Sequence, residues 1–228
     1  MIRNLKPLLA AALVLTALGA IAAGAHAAEE FHCSVNPCRV TAKPDGTGKT
    51  AHQVFVIENE TTTESVSFTC ESLSGEGEVS GLSVTAITLT TLAYKGCTAN
   101  SSTGMVVSMN GCDYNSKAAG GKTDSAKFKI ECPAGKKVEF AFNGCIISVA
   151  GGFESPGVGY ATIGEPSSRE GTITVNHVTI PAAQITATGT KAQCLINTAQ
   201  ALTATYTTGN TLITGENTSG TMANVWFE

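Results

Sequence analysis

The chain has 228 residues, of which 43% are hydrophobic and 14% charged, and its formal net charge is −4. A chain of this length and composition can bury a core of its own. Its mild acidity, without any basic cluster, argues against nucleic acid or an anionic membrane surface as a partner.

Residues 1–27 predict a secretory signal peptide. Arg3 and Lys6 precede an apolar run, and Ala25-His26-Ala27 is a small-x-small cleavage site. A transmembrane anchor is the alternative, but the run is short and ends in small residues rather than in a basic flank. We therefore expect a mature chain of residues 28–228, without a membrane span, that is secreted or held at the cell surface.

Strand signals dominate the first half of the mature chain. Period-two alternation of apolar and polar residues recurs throughout, and no window outside the leader has helical periodicity. Residues 29–50 are interpreted as irregular and the Gly-rich segment 74–81 as a loop. The predicted strands are 53–58, 65–70, 83–94, with a bulge near Thr90-Thr91 where the apolar phase slips, and 104–110.

The second half continues the pattern. Residues 126–132 and 137–142 predict a hairpin closed by the turn at 133–136, followed by a strand at 145–149. Further strands are expected at 159–163, 172–180, 184–188, 202–207, 211–214 and 222–227. Short strands at even spacing predict an all-β antiparallel fold, a β-sandwich or jelly-roll-like arrangement stabilised by disulfides.

All eight cysteines lie in the mature part, and an even number in an exported chain implies disulfides. Many connectivities are open to eight cysteines. Proximity along the chain favours Cys33 with Cys38, Cys97 with Cys112 and Cys132 with Cys145, which leaves Cys70 with Cys194. The last pair would make residues 28–228 a single domain; the alternative is two small β domains split near the linker-like segment 115–124.

Glycine precedes cysteine three times, at 96–97, 111–112 and 144–145, which indicates a repeated turn geometry. Here the sequence resembles a set of uncharacterised exported cysteine-containing all-β proteins of soil actinobacteria. The shared motifs are Tyr-x-Gly-Cys, Asn-Gly-Cys-x-Tyr and Cys-Pro-Ala-Gly, at residues 94–97, 110–114 and 132–135. The resemblance implies a bacterial, exported β scaffold and no activity.

Residues with the chemistry of a catalytic or metal site are sparse. His32, Cys33 and Cys38 form the one close group of metal-ligand types, and in an exported chain a disulfide is favoured there over zinc. His177 is interpreted as a strand-end residue, and no nucleophile motif accompanies it. Carboxylates that could pair across a cleft are Glu58, Glu60, Glu71, Asp113, Glu131, Glu139 and Glu154. We predict no catalytic, cofactor-binding or metal-binding residues.

Threonine is unusually frequent, with 30 in residues 28–228. Three sets each share one strand face: Thr172 and Thr174, Thr186 and Thr188, and Thr203, Thr205 and Thr207. Threonine is an ordinary exposed strand residue, but a flat ladder of it could bind ice or a polysaccharide if the three sets were coplanar. Trp226, the sole tryptophan, is expected to pack in the core or at an edge, or, if exposed, to stack on carbohydrate.

These observations favour a secreted or cell-surface structural or interaction protein without catalysis and without a cofactor. Its partner would be a cell-envelope glycan or protein. The alternatives are a secreted carbohydrate-active hydrolase and a glycan- or ice-binding module.

Overall fold

The computed structural model describes residues 30–44, 52–118, 125–159, 170–173, 178–209 and 211–227. The predicted leader, most of the predicted strand 159–163, Thr174 and His177 lie outside these ranges. Within them no helix is long and apolar enough to cross a membrane. The strands, in chain order, are β1 (Phe31–Cys33), β2 (Cys38–Pro44), β3 (Gln53–Asn59), β4 (Ser65–Val79), β5 (Ser83–Val84), β6 (Ala86–Ala99), β7 (Val106–Ser108), β8 (Asp113–Ala118), β9 (Ser125–Glu131), β10 (Lys137–Phe142), β11 (Cys145–Ala150), β12 (Glu154–Gly159), β13 (Glu170–Ile173), β14 (Val178–Ile180), β15 (Ile185–Thr188), β16 (Leu202–Thr208), β17 (Thr211–Glu216), β18 (Met222–Ala223) and β19 (Val225–Phe227), with a short helix α1 (Lys191–Cys194) and a 3-10 turn (Ala182–Gln184).

The predicted all-β antiparallel class is confirmed, and the described strands form three sheets. A small sheet has the order β19-β1-β5, and a four-stranded sheet has the order β15-β11-β10-β7. The large sheet follows β12-β9-β8-β6-β4-β2-β17-β13, with β3, β16 and β14 as a branch from β4 and with β18 on β17. The sequence predicted an irregular segment at 29–50; the described part of it, residues 30–44, instead supplies β1 and β2.

Two long strands, β4 and β6, organise the large sheet. The first half of β4 pairs with β3, and its second half pairs with β2. The predicted bulge is confirmed: the β4–β6 register shifts between Ser74 and Glu76, opposite Thr91, whose φ is +47°. Gly75 lies at this point, and a Cβ there would be 2.7 Å from Leu92 Cδ2. Ile87 and Leu89 face the core before the bulge, and the extra residue in the bulge returns Leu92 to the same inner face.

The inner face of the large sheet is covered by the two other sheets. Phe140 of β10 packs on Phe55 and Phe68, with ring centroids 4.7 and 5.3 Å apart, so the four-stranded sheet covers the larger cluster. A smaller cluster includes Phe31 and Val225 of the small sheet. Leu89 packs against both clusters. The result is a sandwich-like arrangement with apolar side chains inside and polar ones outside.

A chain of tyrosine hydroxyls lies inside the larger cluster. Tyr94 Oη is 2.5 Å from Tyr114 Oη and 3.2 Å from Tyr206 Oη, and Tyr206 donates to Gln53 Oε1 at 2.8 Å. Burial raises the pKa of Tyr94 and of Tyr114 well above the ordinary value, so both hydroxyls are neutral donors. These hydrogen bonds between hydroxyl groups satisfy buried polar atoms that apolar neighbours would leave unpaired.

All eight cysteines form disulfides, and the local pair Cys33–Cys38 is confirmed. The other three predicted pairs, Cys97–Cys112, Cys132–Cys145 and Cys70–Cys194, are wrong. The structure pairs Cys70 with Cys97, Cys112 with Cys132 and Cys145 with Cys194. The reason is register: Cys70 and Cys97 are direct partners on β4 and β6, and Cys112 and Cys132 flank the partners Asp113 and Glu131 of β8 and β9.

The predicted hairpin of 126–132 with 137–142 is also wrong. Strand β9 pairs with β8 and β12, whereas β10 pairs with β11 and β7, so the turn at 133–136 carries the chain from one sheet to the other. The hairpin is β10–β11, closed by Asn143-Gly144 with φ values of +47° and +78°. The repeated turn geometry before cysteine is confirmed only for Gly111 and Gly144; Gly96 also has a positive φ but lies within β6.

Strands β8 and β9 pair across residues 119–124, which lie outside the described ranges. The proposed linker at 115–124 therefore begins within a paired strand. The number of domains stays a prediction.

Candidate functional site

The outer face of the large sheet carries a charged recess where β17, β2, β4 and β6 lie side by side. Register places Glu216 opposite Arg39, and Arg39 opposite Glu78. The recess has a volume of about 720 Å³. We call it the charged groove; its lining residues are Pro37, Arg39, Glu76, Gly77, Glu78, Thr88, Thr90, Glu216, Asn217, Thr218 and Gly220.

Arg39 is the centre of the charge pattern in the groove. Its guanidinium donates to Glu76 Oε2 at 2.7 Å and lies 3.7 Å from Glu216 Oε1. The hydrogen bond and the charge of Glu76, with a smaller effect of Glu216, raise the pKa of Arg39. All three side chains remain substantially open to solvent, so these pairs add little to stability. With three glutamates and one arginine, the groove has a net negative charge.

Particular backbone features form the floor and one wall of the groove. Gly77 forms part of the floor, and a Cβ at this position would be 2.5 Å from the carbonyl oxygen of Thr88. The close approach of β4 and β6 thus requires a residue without a side chain. The wall is the turn after β17, in which Asn217 Oδ1 accepts from the backbone N–H groups of Ser219 and Thr221.

A second recess, of about 360 Å³, lies further along the same outer face between β6, β8, β9 and β12. Lys127 pairs with Glu154 at 2.7 Å, and Lys129 pairs with Glu131 at 2.6 Å. Lys117 also lines the recess and is exposed. We call it the lysine recess.

Of the seven candidate carboxylates, the structure brings three together near the lysine recess. Asp113 lies directly opposite Glu131 on the neighbouring strand, and Glu154 pairs with β9 at Lys129. Burial, and to a smaller extent the charge of Glu131, raise the pKa of Asp113. The other four, Glu58, Glu60, Glu71 and Glu139, are distributed over β3, the turn after it, β4 and β10.

The glutamates of the charged groove were missed by the sequence reasoning. Glu76 and Glu78 belong to the Gly-rich segment that was interpreted as a loop, and the structure corrects this to the second half of β4. Alternation was present in Gly75-Glu76-Gly77-Glu78-Val79, with glycine on the inner side in place of larger apolar residues. The glycines therefore indicated close packing and not a turn.

The three threonine sets do not lie on one sheet, so the condition for a coplanar threonine ladder is not met. Thr186 and Thr188 belong to the four-stranded sheet, whereas Thr172 lies on β13 and Thr203 to Thr207 lie on β16, both in the large sheet. The strand β13 is separated from β16 by β17, β2, β4 and β3 along the pairing path. The set on β16 lies on the outer face of the large sheet, where Thr203, Thr205 and Thr207 alternate with buried residues.

The remaining candidates contact other residues of the fold. Trp226 stacks on its cross-strand partner His32, with centroids 5.0 Å apart and planes 8° apart. Cys33 and Cys38, the suspected zinc neighbours of His32, are joined to each other. In the described part of the chain no group of three or more His, Cys, Asp or Glu side chains is arranged to hold a metal ion.

Comparisons with known proteins found no matching family model, no matching curated protein and no matching solved structure.

Proposed function

We propose that this chain is an exported bacterial protein, secreted or held at the cell surface, that acts by binding and not by catalysis. Export is supported by the small-x-small site after a charged and apolar N-terminus. It is supported further by four disulfides, because structural disulfides persist in oxidising compartments. The motifs shared with exported proteins of soil actinobacteria point the same way.

The charged groove carries the proposal of binding. It is broad, lies across four paired strands and presents Arg39 between two glutamates, with Glu78 beside them. Carboxylates paired to a guanidinium are fixed hydrogen-bond acceptors, which suits recognition of hydroxyl and amino groups. A general acid instead needs a carboxyl that holds its proton at the working pH. We infer a cell-envelope glycan or protein as the partner.

The binding test uses purified residues 28–228 and insoluble cell-wall polymer, with sedimentation as the readout. We expect co-sedimentation of the natural sequence and its loss in Glu78→Lys, which reverses one charge in the groove. Glu139→Lys is the matched control, since it lies on β10 in the other sheet. Equal binding by both variants would remove the groove from the proposal. Turnover of a polysaccharide or ester by the natural sequence would overturn the absence of catalysis.

The export part has its own test. Residues 1–27 fused to a reporter should direct it out of a bacterial cell, with cleavage after Ala27 seen by N-terminal sequencing. Retention of the uncleaved fusion in the cytoplasm would contradict export without bearing on the groove.

One observation favours a second function, a secreted carbohydrate-active hydrolase. Asp113, whose pKa is raised by burial, lies opposite Glu131, and glycoside hydrolysis uses a pair of neighbouring carboxyl groups. This candidate predicts polysaccharide turnover that Asp113→Asn abolishes while the fold is retained. The absence of turnover by the natural sequence would refute it.

A further inference from the structure

The charged groove and the lysine recess are neighbours on the outer face of the large sheet, and one pair of side chains divides them. Gly77 of β4 pairs with Leu89 of β6. Their neighbours Glu78 and Thr88 therefore lie side by side, and both line the groove. Thr88 is in turn the cross-strand partner of Asn115, which lines the lysine recess. The groove and the recess together form one cleft across seven strands, which we call the polar cleft.

Each end of the polar cleft holds an exposed charge that has no ion pair within the described residues. In the groove, Arg39 is paired with Glu76 and Glu216, which leaves the carboxylate of Glu78. In the lysine recess, the other two lysines are paired with glutamates, which leaves the ammonium group of Lys117. The cleft therefore offers a ligand one negative charge at one end and one positive charge at the other.

The carboxyl groups near Lys117 are engaged elsewhere. Glu154 accepts a hydrogen bond from Lys127, which lowers the pKa of Glu154, and Lys117 adds only a smaller electrostatic effect. Asp113 precedes Lys117 by four residues on β8, about 13 Å along the strand, and is directly opposite Glu131. The charge of Lys117 is therefore not neutralised within the recess.

The side-chain pair in the middle of the cleft leaves one hydrogen-bond donor and one acceptor for a ligand. Asn115 donates from Nδ2 to Thr88 Oγ1 at 2.9 Å. The Thr88 hydroxyl accepts this bond and keeps its own hydrogen for donation, while Asn115 Oδ1 has no partner among the described residues. A peptide group carries the complementary carbonyl oxygen and N–H, so the centre of the cleft suits an amide backbone.

Strand geometry gives the distance between the two available charges. Glu78 and Lys117 lie two strands apart, and Lys117 is displaced by two residues along β8 from Asn115. With neighbouring strands about 4.8 Å apart and alternate residues about 6.8 Å apart, the Cα atoms of Glu78 and Lys117 are about 12 Å apart. An extended peptide rises about 3.3 Å per residue, so residues four apart cover this distance on one face of the peptide.

We propose that the polar cleft binds an extended segment of a partner protein that carries a basic and an acidic side chain four residues apart. The proposal rests on the binding role of the charged groove and names the kind of partner. The basic side chain lies at Glu78, the acidic one at Lys117, and a peptide group between them meets Thr88 and Asn115. A neutral glycan would leave both charges unmatched, and a polymer with charges of one sign would be repelled at one end.

The test measures the fluorescence anisotropy of a labelled peptide, Lys-Ser-Ala-Ser-Glu with blocked termini, titrated with residues 28–228 at low ionic strength. We expect saturable binding that weakens as salt is added. Glu78→Lys and Lys117→Glu should each weaken binding by about tenfold or more, because each variant opposes like charges. Glu139→Lys and Lys136→Glu are the matched controls, since they make the same charge changes on β10 and in the turn before it. Both controls should bind like the natural sequence.

A double variant separates recognition from net charge. Glu78→Lys/Lys117→Glu has the net charge of the natural sequence but exchanges the two ends of the cleft. It should regain binding to Glu-Ser-Ala-Ser-Lys, in which the order of the charges is also exchanged. The shorter peptide Lys-Ser-Glu should bind the natural sequence about tenfold more weakly, because its two charges do not reach both ends. Thermal unfolding under oxidising conditions checks that every variant is folded.

The outcomes distinguish this proposal from the proposed function on which it rests. Co-sedimentation with cell-wall polymer, lost in Glu78→Lys, without binding of either five-residue peptide would overturn the peptide proposal and leave the groove as a glycan site. Equal weakening in the cleft variants and the two controls would also overturn it. So would a dimer of the natural sequence that both cleft variants abolish, if no peptide binds, since the cleft would then contact a second copy of the chain.

Discussion

Removing the disulfide Cys145–Cys194 is expected to cost about twice as much stability as removing Cys33–Cys38. The two bonds span sequence separations of 49 and 5 residues. In the chain-entropy model, closing loops of these lengths restrains the unfolded chain by about 4 and about 2 kcal/mol at 25 °C. All four cysteines are at most 1% exposed, so truncation to alanine removes similar packing in both variants. The difference in the free energy of unfolding between the two variants therefore reports the difference in loop-closure entropy.

The measurement is urea unfolding of residues 28–228 under oxidising conditions, comparing Cys145→Ala/Cys194→Ala with Cys33→Ala/Cys38→Ala. Equal losses, or a larger loss for the short loop, would refute the loop-length reasoning. Peptide mapping of the natural sequence without reduction is the necessary companion experiment. It should recover Cys70 linked to Cys97 and Cys112 linked to Cys132, and any peptide linking Cys70 to Cys194 would contradict the register of β4 and β6.

Three further perturbations test other parts of the fold. Gly77→Ala should lower the free energy of unfolding by about 1–3 kcal/mol. The loss should exceed that of Gly75→Ala, because a Cβ at Gly77 meets backbone, whereas one at Gly75 meets the movable end of a leucine side chain. Urea unfolding that ranks the two variants in the opposite order would contradict the packing argument. Tyr94→Phe should cost about 1–3 kcal/mol by leaving buried hydroxyls without their partner, and adding Tyr114→Phe should recover part of the loss; a double variant as unstable as the sum of the single ones would argue against the network. Asp113→Asn should stabilise the protein at neutral pH by about 0.2–1 kcal/mol. Because the folded pKa of Asp113 is raised, its favourable contribution is present in acid and is lost as pH rises through that pKa, so the gain should disappear towards pH 4 in thermal unfolding; a gain independent of pH would refute this.

Local signals in the sequence located most strands but not their partners. Alternation placed β3, the first half of β4, β10 and β16, and the slip of phase at Thr90-Thr91 correctly predicted a bulge. The Asn143-Gly144 turn was also readable as a hairpin signal, yet the Pro-containing turn at 133–136 was preferred to it. Alternation reports which face a residue occupies and does not report which strand lies beside it.

The disulfide pairing failed for the same reason. Proximity along the chain favoured a bond between Cys97 and Cys112, but the residues between them leave the large sheet to form β7 in the four-stranded sheet. Cys70 and Cys97 are separated by a long excursion and are nevertheless direct partners, with Cα atoms 3.9 Å apart. Cysteine pairing follows the register of the paired strands, and that register was not predictable from the spacing of the cysteines alone.

The charged groove was beyond the reach of motif reasoning because its residues come from four separate parts of the chain. Arg39, Glu76, Thr88 and Glu216 become neighbours only through the order β17-β2-β4-β6. The one local indication, glutamates alternating with glycines at 75–79, was present but suggested a loop. A glycine in such a run has two physical readings, a turn or a close approach, and only the neighbouring strand distinguishes them.

The long strands β4 and β6 explain how one sheet carries two outer faces of different chemistry. Both strands run through the branch with β3 and through the half with β2, so both halves share the same backbone. A bulge at Thr91 and a left-handed residue at Gly96 adjust the phase of β6 between the halves, so that Ile87, Leu92 and Cys97 all remain inside. Because the apolar phase is corrected at these points, the outer side can change from threonine and valine to glutamate and arginine without disturbing the core.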